Sequence, residues 1–225
     1  MKSNLRQLIR SLLEAAVNST IANSQGLALM RKPQGSMTAY VLYDPAHIEP
    51  MFSNDDLITP DSKAIIGYLV VQTHQGECWN AGEVKLAAAK SGYGPLMYQY
   101  AMNDYAGGLF PDRQETSKAA QAVWKKFEQR TDTEKRKFDD IVDPKTPPKE
   151  DDCELAWGTR LHGDTAFLNQ AYDAPGDASG RSNLLQNHED FLQMLSDTKK
   201  WKKHNIESVI LDFGGEFFST RYTNG

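Results

Sequence analysis

Apolar side chains in the opening stretch "MKSNLRQLIRSLLEAAVN" stand at Leu5, Leu8, Ile9, Leu12, Leu13, Ala16 and Val17. Steps of three and four lay one stripe along a helix, so an amphipathic helix is predicted over 1–24, with Lys2, Arg6 and Arg10 off the stripe. The spread is unlike the continuous apolar block of a secretion signal. A helix docked on its own domain and a leader that binds a partner or surface both fit the pattern. The segment "GLALMRKPQGSMTAYVLYDP" then reads as two short strands around a turn at Pro33-Gln34-Gly35, stopped by Asp44-Pro45. After a loop or short helix over 46–62, "KAIIGYLVVQT" has the β-branched and aromatic density of a buried strand. "HQGE" is a turn signal, and "CWNAGEVKLAAA" is a second strand, antiparallel to the first across a tight turn.

From Leu96 to Tyr105 the period becomes helical, "GGLFPDR" gives a short strand, and Ser117 stands at the N-cap of a helix with Ala120, Val123, Trp124 and Phe127 on its apolar face. Strand, strand, glycine turn, helix, strand, helix is the order of an α/β unit. The charged "RTDTEKRKFDD" reads as a solvated helix or loop, and 143–152, "DPKTPPKEDD", as an extended surface connector. Beyond it, "DTAFLNQAY" and "NLLQNHEDFLQMLSDTKKWKKH" look helical, and "IESVILDFGGEFFSTRY" reads as a hairpin turning at Gly214-Gly215, a helix followed by a strand being the alternative. This gives a core over 25–142, the connector, and a C-terminal extension over 153–225 packed on that core.

Composition narrows the class. The 225 residues can bury one main core, and a net charge of −5 with a mean hydropathy of −0.58 argues against a membrane span and against a nucleic-acid coat. Cys78 and Cys153 form neither a CxxC nor a zinc spacing, so the expectation is a reducing compartment with both thiols free. His162, Asp164, Asp173, Asp177 and His188 lack the tight spacing of a metal site, and no metal is expected. "KKWKKH" at 199–204 reads as a solvated helix end, phosphate contacts being the alternative.

The chemistry concentrates at "AAAKSGYGPLMYQYAM", where Gly92 and Gly94 stand between strand and helix. Glycine there lets backbone N–H groups come close to a diphosphate, yet a plain turn has the same spacing. The longer run "IIGYLVVQTHQGECWNAGEVKLAAAKSGYGPLMYQYAM", with "GGLFPDR" and "SKAAQAVWKKF" after it, resembles the central motif of the GNAT acetyltransferase superfamily over about residues 60–130. The resemblance implies a GNAT-like α/β (α+β) fold: a mixed, mostly antiparallel sheet flanked by helices, with the N-terminal helix and a helical or hairpin C-terminal extension added. It implies acetyl-CoA held by Leu86, Ala87, Lys90, Ser91, Gly92, Tyr93, Gly94, Ser117 and Trp124, and acetyl transfer to an amine of a protein or small molecule. Glu83, on the strand before the glycine loop, is then the candidate general base. The chain departs from the pattern at Ala89, where a basic or amide residue is usual, leaving Lys90 or Lys85 to face the diphosphate. It departs again at Pro95, which removes one N–H donor, and at Trp124, which replaces the usual proton-donating tyrosine.

"SGYGPLMYQYAM", "GGLFPDR", "AQAVWKKF" and "DPKTPPKEDDC" also resemble, in the same order, segments of a family of tailed-bacteriophage proteins of unassigned activity. "LRQLIRSLLE" is similar to short basic leaders of phage proteins, and "LLEA" to sites cut by prohead proteases. That resemblance implies a phage or host protein as acceptor or partner, and a place in the host cytoplasm or packaged in the virion, with the N-terminal helix as the capsid contact. Three readings stay open: an acetyltransferase, a catalytically degenerate module acting as a virion component or host-factor binder, and a nucleic-acid-associated protein using its two basic ends.

Overall fold

A computed structural model describes residues 25–49, 63–141, 145, 149–155, 163–176, 178–199 and 202–223. The expected helix over 1–24 lies outside them. The sheet begins with a hairpin: β1 (Ala28–Gln34) and β2 (Met37–Tyr43) run antiparallel from Ala28↔Tyr43 to Gln34↔Met37, and Gly35 turns between them at φ 59. A one-turn helix, α1 (Pro45–Ile48), follows, its first N–H groups capped by Asp44. β3 (Ile65–Thr73) and β4 (Gly82–Ala89) extend the antiparallel run. Then come α2 (Gly94–Met102), β5 (Leu109–Pro111), α3 (Lys118–Gln129) and β6 (Glu134–Lys137). Two short strands, β7 (Asp139–Asp140) and β8 (Asp152–Cys153), pair with each other, and β9 (Gln170–Asp173) precedes the long helices α4 (Ala178–Lys199) and α5 (Lys203–Thr223).

Among the described residues the main sheet has seven strands in the order β1-β2-β3-β4-β5-β9-β6, and only β4 and β5 pair in parallel within it. The protein is therefore a mixed α+β fold with a mostly antiparallel sheet flanked by helices. No helix among the described residues is long and apolar enough to cross a membrane.

Strand alternation sorts side chains to two faces. On one face Leu29, Tyr40, Leu42, Leu69 and Val71 meet Met97, Tyr100 and Ala101 of α2 and Trp124 and Phe127 of α3. On the other, Met30, Val41, Tyr43, Ile65 and Val70 meet Phe191 and Leu195 of α4 and Ile206, Ile210, Phe213 and Phe217 of α5. Helix α5 comes close because Gly214 lies over a ring: a Cβ there would be 2.5 Å from Tyr68 Cδ2. Asp104, at the end of α2, ties the layers together by accepting from the Tyr40 hydroxyl (2.6 Å), Arg31 Nε (2.7 Å) and Arg181 Nη2 (2.5 Å).

Four expectations need correction. The segment 203–223 is one helix, not a hairpin at Gly214-Gly215: Ile206, Ile210, Phe213 and Phe217 recur at steps of four and three, and the adjacent glycines serve close packing. "TEKRKFDD" forms strands β6 and β7 instead of a solvated helix or loop; its charge suits an edge strand, which must not invite another chain. "DTAFLNQAY" splits into a 3₁₀ turn, Gly163–Leu168, and β9, so part of the C-terminal segment lies inside the sheet.

The thiols are not free either: Cys78 and Cys153 form a disulfide, both being almost fully buried beside Phe110 and Ala171. Spacing along the chain gave no hint of it, because 75 residues separate them and the sheet brings them together. Cys78, Trp79 and Asn80 all have positive φ (50, 60 and 54). That costly left-handed turn is held by Gly76 N–H donating to Asn80 Oδ1 (2.8 Å), Trp79 Nε1 donating to Lys137 O (2.9 Å), and the disulfide.

Two measurements test this packing. Gly214→Val should cost about 1–3 kcal/mol in urea unfolding, because the new methyls meet the Tyr68 ring; an unchanged midpoint would mean α5 is not seated there. Cys153→Ser should cost about 2–5 kcal/mol relative to oxidised wild type, and unreduced wild type unfolded in urea should take up no iodoacetamide by intact mass.

Candidate functional site

The pairing of β3 with β4 slips by one residue: Val71 faces Val84, but Val70 faces Leu86, which leaves Lys85 as the extra residue of a bulge. The bulge lies one residue past the point where β4 stops pairing with β5. The parallel ladder holds only through Gly82↔Leu109, Glu83↔Phe110 and Val84↔Pro111. Beyond it, residues 85–88 pair with no strand on that side among the described residues. β5 stops at Pro111, and Asp112 turns the chain off by accepting from Gln114 N (2.6 Å) and Glu115 N (3.0 Å). Ser117 then caps α3, its hydroxyl accepting from Ala120 N (3.2 Å).

The parting strands open a cleft of two joined lobes, about 800 Å³ and about 450 Å³. Ala87, Tyr98, Ser117, Ala120 and Phe218 border both. Lys90, Ser91, Gly92 and Gly94 line the larger lobe with Ser117 and Lys118, so the N-terminal ends of α2 and α3 open on one space. Each end carries partial positive charge from its first-turn N–H groups, and Lys118 is exposed there. No side chain caps α2. Gly92 has φ 89, which favours glycine strongly, whereas a Cβ on Gly94 would find only Val123 Cγ2 at 3.9 Å. Lys90 Nζ donates to Lys63 O (2.6 Å).

Two phenols of this cleft have buried rings and no hydrogen-bond partner for their hydroxyls among the described residues: Tyr98, 3% exposed, and Tyr68, 9% exposed. Both hydroxyls keep contact with solvent, so they can donate to a polar ligand in the cleft as they do to water. Burial raises the pKa of both, with Asp212 adding to the effect at Tyr68, so they are protonated donors.

Of the expected ligand contacts, Ala87, Lys90, Ser91, Gly92, Gly94 and Ser117 line the larger lobe, and Leu86, Ala87, Ser117 and Trp124 the smaller. Trp124 borders it from the core, 1% exposed, stacked on Tyr172 (5.4 Å) and edge-on to Tyr98 (4.9 Å). Tyr93 does not line the cleft; its hydroxyl donates to Gln25 Oε1 (2.7 Å). Glu83 lies behind the smaller lobe, 4% exposed. Its Oε1 accepts from Arg113 N (2.8 Å) and Lys85 Nζ (3.0 Å), and its Oε2 contacts His74 Nε2 (3.0 Å). Burial alone would raise its pKa, but these donors outweigh burial and hold it down at about 2. Lys85 also reaches Asp112 Oδ2 (2.7 Å). Among the residues that sequence reasoning misses are Tyr68, Lys118 and Phe218, the last because a hairpin reading of α5 gives it no place at the cleft. No group of metal-ligating residues occurs among the described residues.

Compared with known proteins, the chain matches no family model, no curated protein and no solved structure.

Glu83 should contribute stability above pH 4.5 that is lost as pH falls through about 2, since its folded pKa lies below the unfolded one. Glu83→Gln is expected to cost roughly 2–4 kcal/mol at neutral pH and to flatten the wild-type loss of stability below pH 4.5, read by urea unfolding across pH. Equal pH slopes would show that the carboxylate is not held by these partners.

Proposed function

We propose that the cleft binds acetyl-CoA in the manner of GNAT-like proteins and presents its thioester to an amine. The observation that carries the reading is the end of the β4–β5 ladder at the bulge, with the starts of α2 and α3 at the mouth of the cleft that opens there. A diphosphate suits the larger lobe, where Gly92, Gly94, Ser117 and Lys118 offer backbone donors and positive charge. The pantetheine arm suits the open edge of residues 85–88, adding to it as a strand would. In the transfer, the amine nitrogen bonds to the thioester carbonyl carbon and gives up a proton, the C–S bond breaks, and the departing thiolate takes up a proton, leaving an amide and a free thiol. Backbone N–H groups along the β4 edge, with Tyr98, are positioned to stabilise the oxyanion.

Glu83 fits the role of base poorly, because a carboxylate held at about 2 has little affinity for a proton at neutral pH. Its geometry instead fits positioning: it fixes Lys85 and the His74 imidazole. Together with Trp124, packed in the core where a proton donor is usual, this favours as a second reading a module that binds the thioester without turning it over, acting toward a virion or host protein.

Calorimetry with acetyl-CoA tests the reading. Wild type should bind in the micromolar range, and Gly94→Glu should weaken binding by about tenfold or more with an unchanged circular dichroism spectrum, since its carboxylate opposes the diphosphate in space that can hold it. Absence of binding by folded wild type would end the acyl-CoA reading. Binding without transfer to any amine in a broad panel would select the non-catalytic module.

A further inference from the structure

His188, on α4, is a buried ionisable side chain to which the cleft gives no role: it is 4% exposed and sits where three elements meet. Its Nδ1 lies 2.7 Å from the hydroxyl of Tyr43 on β2, and its Nε2 lies 3.9 Å from Glu207 Oε1 on α5. A neutral imidazole suits this seat, because Nδ1 accepts from the hydroxyl while the ring proton stays on Nε2. Tyr43 is fully buried, and its hydroxyl has no other partner among the described residues. A second proton on the ring removes that acceptor, strands the hydroxyl's hydrogen and places a charge beside Phe191 and Leu192 in an apolar layer. The charged groups around the ring do not offset this. Glu207 gives its other oxygen to Lys32 of β1 (2.5 Å), and Glu189, exposed on α4, pairs with Lys203 of α5 (3.3 Å). Burial, aided by Lys203 and Lys32 and opposed by Glu189 and Glu207, lowers the pKa of His188 from its ordinary 6.5.

We propose that the Tyr43–His188 contact is an acid-released latch that holds α4 and α5 against the sheet. What it holds matters to the cleft, because α5 packs Gly214 over Tyr68 and brings Phe218 to both lobes. Protonation of the imidazole loosens this wall, and deprotonation seats it, whichever ligand the cleft takes. The fold prefers neutral His188, so its contribution is complete above pH 6.5 and declines as pH falls from 6.5 toward the folded pKa. The loss of stability through Glu83 begins only below pH 4.5, so the two windows are separate.

Urea unfolding of the full-length protein from about pH 7.5 to about pH 5.0 tests the latch, with His188→Gln as a variant that stays polar and cannot take up the proton. The unfolding constant of wild type relative to the variant should rise by about tenfold for each pH unit below 6.5 until the folded pKa is reached. A ratio that does not change with pH would overturn the proposal. Hydrogen exchange of wild type, read by mass spectrometry, is a second measurement that needs no variant. Corrected for intrinsic rates, amides of 206–218 on α5 should open about threefold or more often at about pH 5.5 than at about pH 7.5, and should exchange ahead of those of 65–71 on β3. Protection of α5 that is the same at both pH values, or α5 that opens only together with β3, would equally overturn it.

Discussion

The ammonium of Lys85 sits between the carboxylates of Glu83 (3.0 Å) and Asp112 (2.7 Å), at the point where two parallel strands separate. Glu83 belongs to β4 and Asp112 follows β5, so the cation is a clamp across the root of the cleft. Its pKa stays raised although burial works to lower it, because Asp112 and Glu83 outweigh the loss of water. Below the clamp the strands are hydrogen-bonded as a sheet; above it the pairing ends and the helix starts face the gap. Without the cation two carboxylates would approach each other with too little compensation, so bulge, clamp and cleft form one arrangement.

The rest of the molecule stiffens that root. Arg113, 5% exposed, donates from Nη2 to Pro111 O and Leu168 O (both 2.6 Å), pinning the end of β5 to the turn before β9. Its guanidinium lies over the rings of Phe110 (4.7 Å) and Phe138 (5.4 Å). Burial pulls the pKa of Arg113 down to about 10, with Glu83 and Asp112 opposing, so it remains a cation at neutral pH. On the opposite face, α5 contributes Phe218 to both lobes, so the C-terminal helix is part of the wall.

The parts legible in the sequence were those set by local rules. Dense β-branched residues marked β3, the Ser117 cap marked α3, and the Gly92-Tyr93-Gly94 turn marked the strand-to-helix junction. What stayed hidden depended on contacts distant along the chain. Nothing near Lys85 announces a bulge, because its cause is register against β3. Nothing near Glu83 announces that three donors converge on it, since Arg113 and His74 arrive from other elements. The hairpin reading of 203–223 failed for a related reason: Gly214-Gly215 looks like a turn until Tyr68 is seen to need the space.

The link between Cys78 and Cys153 closes a covalent ring that contains β4, α2, β5, α3 and β6, that is, both parting strands and both helix starts. Tyr68 and Phe218, the walls supplied from either side, stand outside that ring. A single break of the backbone within the ring therefore leaves its two ends tethered. The cradle for an anionic ligand and the walls around it thus differ in what fastens them: one is bounded by covalent bonds, the others are held by sheet hydrogen bonds and packing.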